Sequence, residues 1–243
     1  MGKLFGLLVC CFLFFGSALA QDVTVTAHAV ADGKNHADPA NAQDVVFWLT
    51  PLGHAAPRPT VPAQHPKLTQ HNKTFEPHLL VIPVGSVVDF PNRDPFFHNV
   101  FSLFEGKRFD LGLYEGGTTR EVHFDKPGIS YIFCNIHAQM SAVVIAMDTP
   151  YYGISNAKGR VEIAGVPTGD YKLEVWYQES SQPQLKALSH HVTISANDSN
   201  LGTFHLAPPK TLVVHKNKYG QDYEGPPANS PGYENQLLPQ TTD

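Results

Sequence analysis

The chain has 243 residues, enough for one large domain or two small ones. Hydrophobic residues make up 42% of it, which excludes disorder throughout, and charged residues at 16% fall well short of what long surface helices need. Nineteen glycines and twenty prolines point to many turns between short elements, and a formal net charge of −5 leaves no basic excess to hold a nucleic acid.

Residues 1–20 read as a secretory signal peptide. Lys3 supplies the positive n-region, Leu4 to Phe15 is an almost unbroken apolar stretch, and Ala18-Leu19-Ala20 is a small-residue cleavage site, with cut expected before Gln21. The stretch is short for a membrane span, and no later segment reaches spanning length. The expectation is a periplasmic or secreted protein with no membrane span after signal cleavage. Cys10 and Cys11 leave with the signal, so Cys134 remains alone and no internal disulfide can form.

Strand signals then dominate. Residues 22–30 alternate around Val23 and Val25, and Val45 to Leu49 is an apolar run of the kind buried on both faces. Residues 51–66 carry five prolines and read as an irregular connection. Short strands follow at 79–82, 87–90, 99–102, 118–124, 129–133 and 142–147, each bounded by turn residues, and this spacing predicts an antiparallel sandwich or barrel. The stretch 103–117 reads as loop and short strand, with Glu105, Asp110 and Glu115 as acids of a solvated loop. No amphipathic helix is evident. Beyond Pro150, strands are expected at 159–163, 171–177, 191–195 and 201–206, with Tyr171, Leu173, Val175 and Tyr177 on one face. Such a unit is thin, and needs either to pack on the first or to borrow the strands at 22–50. Residues 207–243 are polar, with six prolines and no periodicity, and are expected to be disordered.

The chemistry concentrates in Tyr131-Ile-Phe-Cys134-Asn-Ile-His137-Ala-Gln-Met140, directly after a strand, and in Asp94-Pro-Phe-Phe-His98-Asn99 upstream. Two imidazoles, one thiolate and one weak axial thioether form the ligand set of a blue-copper electron-transfer site. Thiolate suits Cu(I), imidazole suits both oxidation states, and a long Met bond lets the geometry stay nearly fixed between them. Zinc on Cys and two His is the competing metal, but Met is a poor ligand for it. His28, His36, His54, His65, His71, His78 and His123 read as surface residues, and one of His190 and His191 is expected to face solvent.

The segment from Lys67 to Asp148 resembles the cupredoxin family, the group of plastocyanin, azurin and amicyanin, and its C-x-x-H-x-x-M loop is similar to the short amicyanin form. The resemblance extends to Val84-Gly-Ser-Val-Val-Asp-Phe90 and Phe124-Asp-Lys-Pro-Gly128. It implies one type 1 copper on His98, Cys134, His137 and Met140. It also implies that Asn99 stands behind the ligands, its side chain tying the ligand loops together and its N–H approaching the sulfur. The whole chain is similar to bacterial plastocyanin-like proteins labelled methylamine utilisation proteins. Residues 150–206, through Gly159-Arg-Val-Glu-Ile and Val166-Pro-Thr-Gly-Asp-Tyr171, resemble a carboxypeptidase-regulatory-like β-sandwich, a name that implies no peptidase activity.

The expected fold is therefore all-β: a Greek-key cupredoxin β-sandwich over 67–149 and a second, small β-sandwich over 150–206. The strands and Pro-rich connection of 21–66 have no clear place in a minimal cupredoxin. Phe96 and Phe97, with Ile136 and Ala138 beside His137, read equally as an apolar docking rim for a redox protein partner or as core. No nucleophile elbow, Walker motif or H-E-x-x-H is present, so a non-enzymatic electron carrier is expected. A copper carrier or chaperone with the same ligands, or a β-sandwich surface-binding module, are the alternatives.

Overall fold

The computed structural model describes residues 21–32, 40–53, 55–103, 106–207 and 216–223. The signal peptide expected over 1–20, His36 and His54, Glu105 and most of the tail expected to be disordered lie outside the described residues. Among the described residues, no helix is long and apolar enough to cross a membrane.

Among the described residues, the architecture is an all-β sandwich fold with one short helix. In chain order the strands are β1 (Asp22–Ala31), β2 (Ala40–Asn41), β3 (Val46–Pro51), β4 (Thr69–His71), β5 (Thr74–Glu76), β6 (Leu79–Pro83), β7 (Val87–Pro91), β8 (His98–Ser102) and β9 (Phe109–Tyr114). They continue with β10 (Thr119–His123), β11 (Gly128–Cys134), β12 (Ser141–Met147), β13 (Tyr152–Ile154), β14 (Arg160–Pro167) and β15 (Gly169–Trp176). Helix α1 (Gln182–Leu188) then precedes β16 (His190–Ile194) and β17 (Asn200–Leu206).

The central sandwich faces the five-stranded sheet β6-β12-β11-β8-β9 with the pair β10-β7. Its core joins Val88, Phe90, Val122 and Phe124 from one side to Ile82, Val100, Ile132, Ala142 and Val144 from the other. The pairing is not wholly antiparallel as expected, because β12 runs parallel to β6. The chain leaves β6 for the opposite sheet before it returns, and a crossover of that kind is what allows parallel entry.

The strands at 22–51 pair with those after Pro150. β1 is central in the sheet β14-β1-β17, antiparallel to β14 and parallel to β17, and β2 pairs with its end. β3 lies inside the sheet β13-β3-β15-β16. Val25, Ala27 and Ala29 of β1 and Phe47 and Leu49 of β3 share one core with Val161, Ile163, Tyr171, Leu173 and Val175, against which Tyr177 is partly buried. This second sandwich thus draws a central strand of each sheet from the N-terminal segment.

The two sandwiches meet through a third apolar cluster: Val46 and Trp176 of β3 and β15 against Val143, Ile145 and Met147 of β12, with Leu185 of α1. The apolar runs in β3 and β12 follow from this. Alternate side chains of a strand point to opposite faces, so β12 sends Ala142, Val144 and Ala146 into the central core and Val143, Ile145 and Met147 into the contact. Helix α1 is an element the sequence reading omits. It is seven residues long with Pro183 in its first turn and a single buried residue, Leu185, too little for a helical period to emerge.

Both tryptophans of the chain, Trp48 and Trp176, sit in this contact. Phe47→Ala empties a fully buried site beside Phe204, whose ring stacks edge-on at 4.9 Å. The expected cost is about 3–5 kcal/mol, read as a lower urea midpoint in tryptophan fluorescence.

Candidate metal centre

The centre is built from two neighbouring strands and one loop. Cys134 ends β11 and pairs with Val100 of β8. Side chains two apart share a face, so His98, Val100, Ile132 and Cys134 all turn toward the interior. The loop 135–140 then carries His137 back over the sulfur. It is closed by Met140 N–H donating to the His137 carbonyl at 3.0 Å and Cys134 N–H donating to the Met140 carbonyl at 3.3 Å.

The structure brings three of the sequence-derived residues together. The Nδ1 atoms of His98 and His137 lie 3.6 and 3.8 Å from Cys134 Sγ, and the three donor atoms are all within 4.8 Å of one another. A metal about 2.0 Å from each imidazole nitrogen and about 2.3 Å from the sulfur, with angles of about 120°, separates N and S by roughly 3.7 Å. The donor set therefore fits one first-row ion held through thiolate and two Nδ1 atoms. Cys134, His98 and Met140 have no solvent exposure, and His137 has 7%. Met140 belongs to the same core cluster as Cys134.

Burial pushes the Cys134 thiol up. The His137 and His98 rings and the N–H groups of Asn99 and Ile136 outweigh this and hold it at about 5, so the sulfur is a thiolate near neutral pH. Burial lowers the His98 value, while the Cys134 sulfur and the Asp94 carboxylate raise it by more.

Asp94 is the residue that the sequence reading misses. Its Oδ2 accepts from His98 Nε2 at 2.8 Å, which leaves Nδ1 facing the Cys134 sulfur. The same carboxylate caps the β4–β5 turn, accepting from Asn72 N–H at 2.7 Å and Lys73 N–H at 3.0 Å. Both turn residues have positive φ, 51° and 56°, a conformation non-glycine residues seldom adopt without such anchoring. Burial raises the Asp94 value, but these donors and His98 together hold it below the ordinary carboxylate range. Asn92 shapes the loop: its Oδ1 accepts from Asp94 N–H at 3.0 Å and its Nδ2 donates to the Phe96 carbonyl at 2.8 Å. The available signal was Asp94 four residues before His98, which only the loop's actual path turns into a contact.

Asn99 departs from its expected role. Its N–H does reach the sulfur, and its carbonyl accepts from Asn135 N–H at 2.9 Å, so the main chain makes the tie between the ligand segments. Its side chain turns the other way, Nδ2 donating to Asp110 Oδ1 at 2.6 Å. Asp110, although 41% exposed, is therefore tied into the network behind the ligand segments as well as facing solvent.

The two phenylalanines divide. Phe96 packs at 5.3 Å from the His98 ring and 5.6 Å from the His137 ring, while Phe97 is 51% exposed. Ile136 and Ala138 are exposed on either side of His137. A second cluster, His65 with Asp89 and Glu121, is an exposed ion-pair group on the β7–β10 face.

No protein-family model matches the chain, and no curated protein matches it. Among solved structures, it is similar to a purple cupredoxin from Nitrosopumilus maritimus, at 23% identity over 34% of this chain and 99% of that one, with a TM-score of 0.31. It is similar to amicyanin from Paracoccus versutus at 22% identity, covering 36% of this chain and 85% of that one, with a TM-score of 0.32. A copper-containing nitrite reductase from Thermus scotoductus is 24% identical, with 41% of this chain covered and a TM-score of 0.33; the match spans a quarter of the reductase's own length, 25%.

Asp94→Ala removes a buried acceptor and leaves three donors facing it. It is expected to lower stability by about 3 kcal/mol, read as a urea midpoint. Loss of the partner that orients His98 is expected to weaken Cu(II) binding about 10- to 100-fold, read by competition with a chelator.

Proposed function

We propose that this chain is an exported type 1 copper protein of the cupredoxin family that carries single electrons between redox protein partners, without catalysis of its own. The observation that supports this most directly is the convergence of Cys134 Sγ with the Nδ1 atoms of His98 and His137 in a site closed to water. The C-x-x-H-x-x-M spacing that puts Met140 at the end of the same loop adds to it. His98, Cys134, His137 and Met140 would hold the copper, which would supply a one-electron Cu(II)/Cu(I) couple.

The chain's own residues do the rest. Asp94 holds the His98 ring in one tautomer and one orientation. The His137 and His98 rings, with the N–H groups of Asn99 and Ile136, favour Cys134 as thiolate. Strands β8, β11 and β12 anchor the residues at both ends of the loop, so the ligands have little freedom to rearrange when charge changes. Ile136 and Ala138, exposed on either side of the nearly buried His137, and exposed Phe97 next to His98 supply apolar surface, and Phe96 backs the His137 ring. That rim suits the small, transient interface of an electron-transfer encounter.

Residues 21–243 loaded with Cu(II) are expected to show an intense visible thiolate-to-copper band and narrow copper hyperfine splitting in EPR, both absent from Cys134→Ala. A colourless copper complex moves the reading to metal carriage. Failure to take up copper overturns the copper reading.

A further inference from the structure

Residues 216–223 lie in the stretch whose sequence predicts no structure, yet they fold against the metal centre. The segment first orders itself. Asn217 Oδ1 accepts from Tyr219 N–H at 2.9 Å and Gln221 N–H at 3.0 Å, Gly220 N–H donates to the Asn217 carbonyl at 2.9 Å, and Gly220 takes a positive φ of 78°. Lys216 Nζ and Asp222 pair across the turn at 2.5 Å.

Three bonds then join this turn to the site. Tyr223 Oη donates to the carbonyl of Cys134 at 2.8 Å. Lys218 N–H donates to Asn135 Oδ1 at 3.0 Å, one residue beyond that cysteine. Lys218 Nζ pairs with Asp110 Oδ2 at 2.9 Å, and the other oxygen of Asp110 receives Asn99 Nδ2. One short segment thus grips the cysteine end of β11 and, through Asp110, the residue next to His98. Tyr223 Oη directs its dipole at the carbonyl of Cys134, and Lys218 places an ammonium against Asp110 on the Asn99 side of the centre. In this pair the Lys218 side chain is 19% exposed and that of Asp110 41%, so solvent screens it in part.

We propose that residues 216–223 are a working part of the metal centre: Lys218 and Tyr223 are positioning residues that brace the Cys134–Asn135 turn and the Asn99–Asp110 pair and thereby raise the reduction potential of the bound metal. The effect on potential rests on the copper reading above; the bracing of Cys134 does not. The sign follows from charge. A cation held beside the Asn99–Asp110 pair and a hydroxyl dipole donated to the Cys134 carbonyl add positive potential near the centre and disfavour the more positive oxidised state, so their removal favours Cu(II) and lowers the potential.

The test uses the full mature chain with Lys218→Met and Tyr223→Phe. Asp222→Asn serves as a control in the same segment, where the 82% exposed carboxylate faces Lys216 and not the centre. Redox titration of the copper-loaded proteins is expected to show a fall of up to about tenfold in the Cu(II)/Cu(I) equilibrium constant for Lys218→Met, about 59 mV for one electron. A smaller fall is expected for Tyr223→Phe and no change for the control. In the metal-free proteins, reaction of Cys134 with an aromatic disulfide reagent is expected to accelerate severalfold in both variants and not in the control. Potentials and thiol rates that match the unsubstituted protein in both variants overturn the proposal. If the unsubstituted protein forms no blue site, the copper reading fails on its own account. The thiol rates then decide the bracing: unchanged rates overturn it, and accelerated rates uphold it.

Discussion

A thiolate with no exposure to solvent is the constraint around which this molecule is arranged. Charge in an apolar interior is costly unless it is met on all sides by donors or a cation, and Cys134 stands inside the core cluster of the central sandwich. The answer is local and directional: two imidazole nitrogens and two backbone N–H groups point at one sulfur. Every further feature of the site supports one of those donors. Asp94 steadies His98, the Asn72–Lys73 turn steadies Asp94, and the loop closure at Met140 fixes His137.

Rigidity of this kind needs strands that cannot slip. A one-residue shift in pairing moves a strand's side chains to the opposite face, so register is firmly specified where the two faces bury different sets. β12 buries both faces, one in the central core and one against Val46 and Trp176 of the second sandwich. Its start is the end of the ligand loop. The second sandwich therefore bears on the His98–Cys134–His137 cluster through β12. His78 adds a polar link at the same contact, one ring nitrogen on the Ser141 carbonyl at 3.0 Å and the other on Gln178 at 2.5 Å.

Charge is distributed with similar economy. Among the described residues near the centre, Asp94 and Asp110 each serve two strands or turns at once. Both carboxylates are held below their ordinary range by the donors that reach them, against the opposing effect of burial. Phe97, Ile136 and Ala138 near the same centre are exposed.

Composition and alternation alone determined that the chain is all-β. Turn residues marked most of the strands of the central sandwich, and the spacing of Cys134, His137 and Met140 with His98 upstream named a ligand set before any coordinates. These are local properties: side-chain period, turn chemistry and the donor types on one loop. What tertiary structure decided are the long-range facts. It placed β1 and β3 inside the second sandwich, because pairing partners more than a hundred residues apart leave no trace in a single strand's pattern. It turned Asp94 onto His98 and the Asn99 side chain away from the ligand loop toward Asp110. It seated Lys218 and Tyr223 on the centre, because a polar segment without periodicity acquires a fixed path only from partners that the rest of the fold has already set in place.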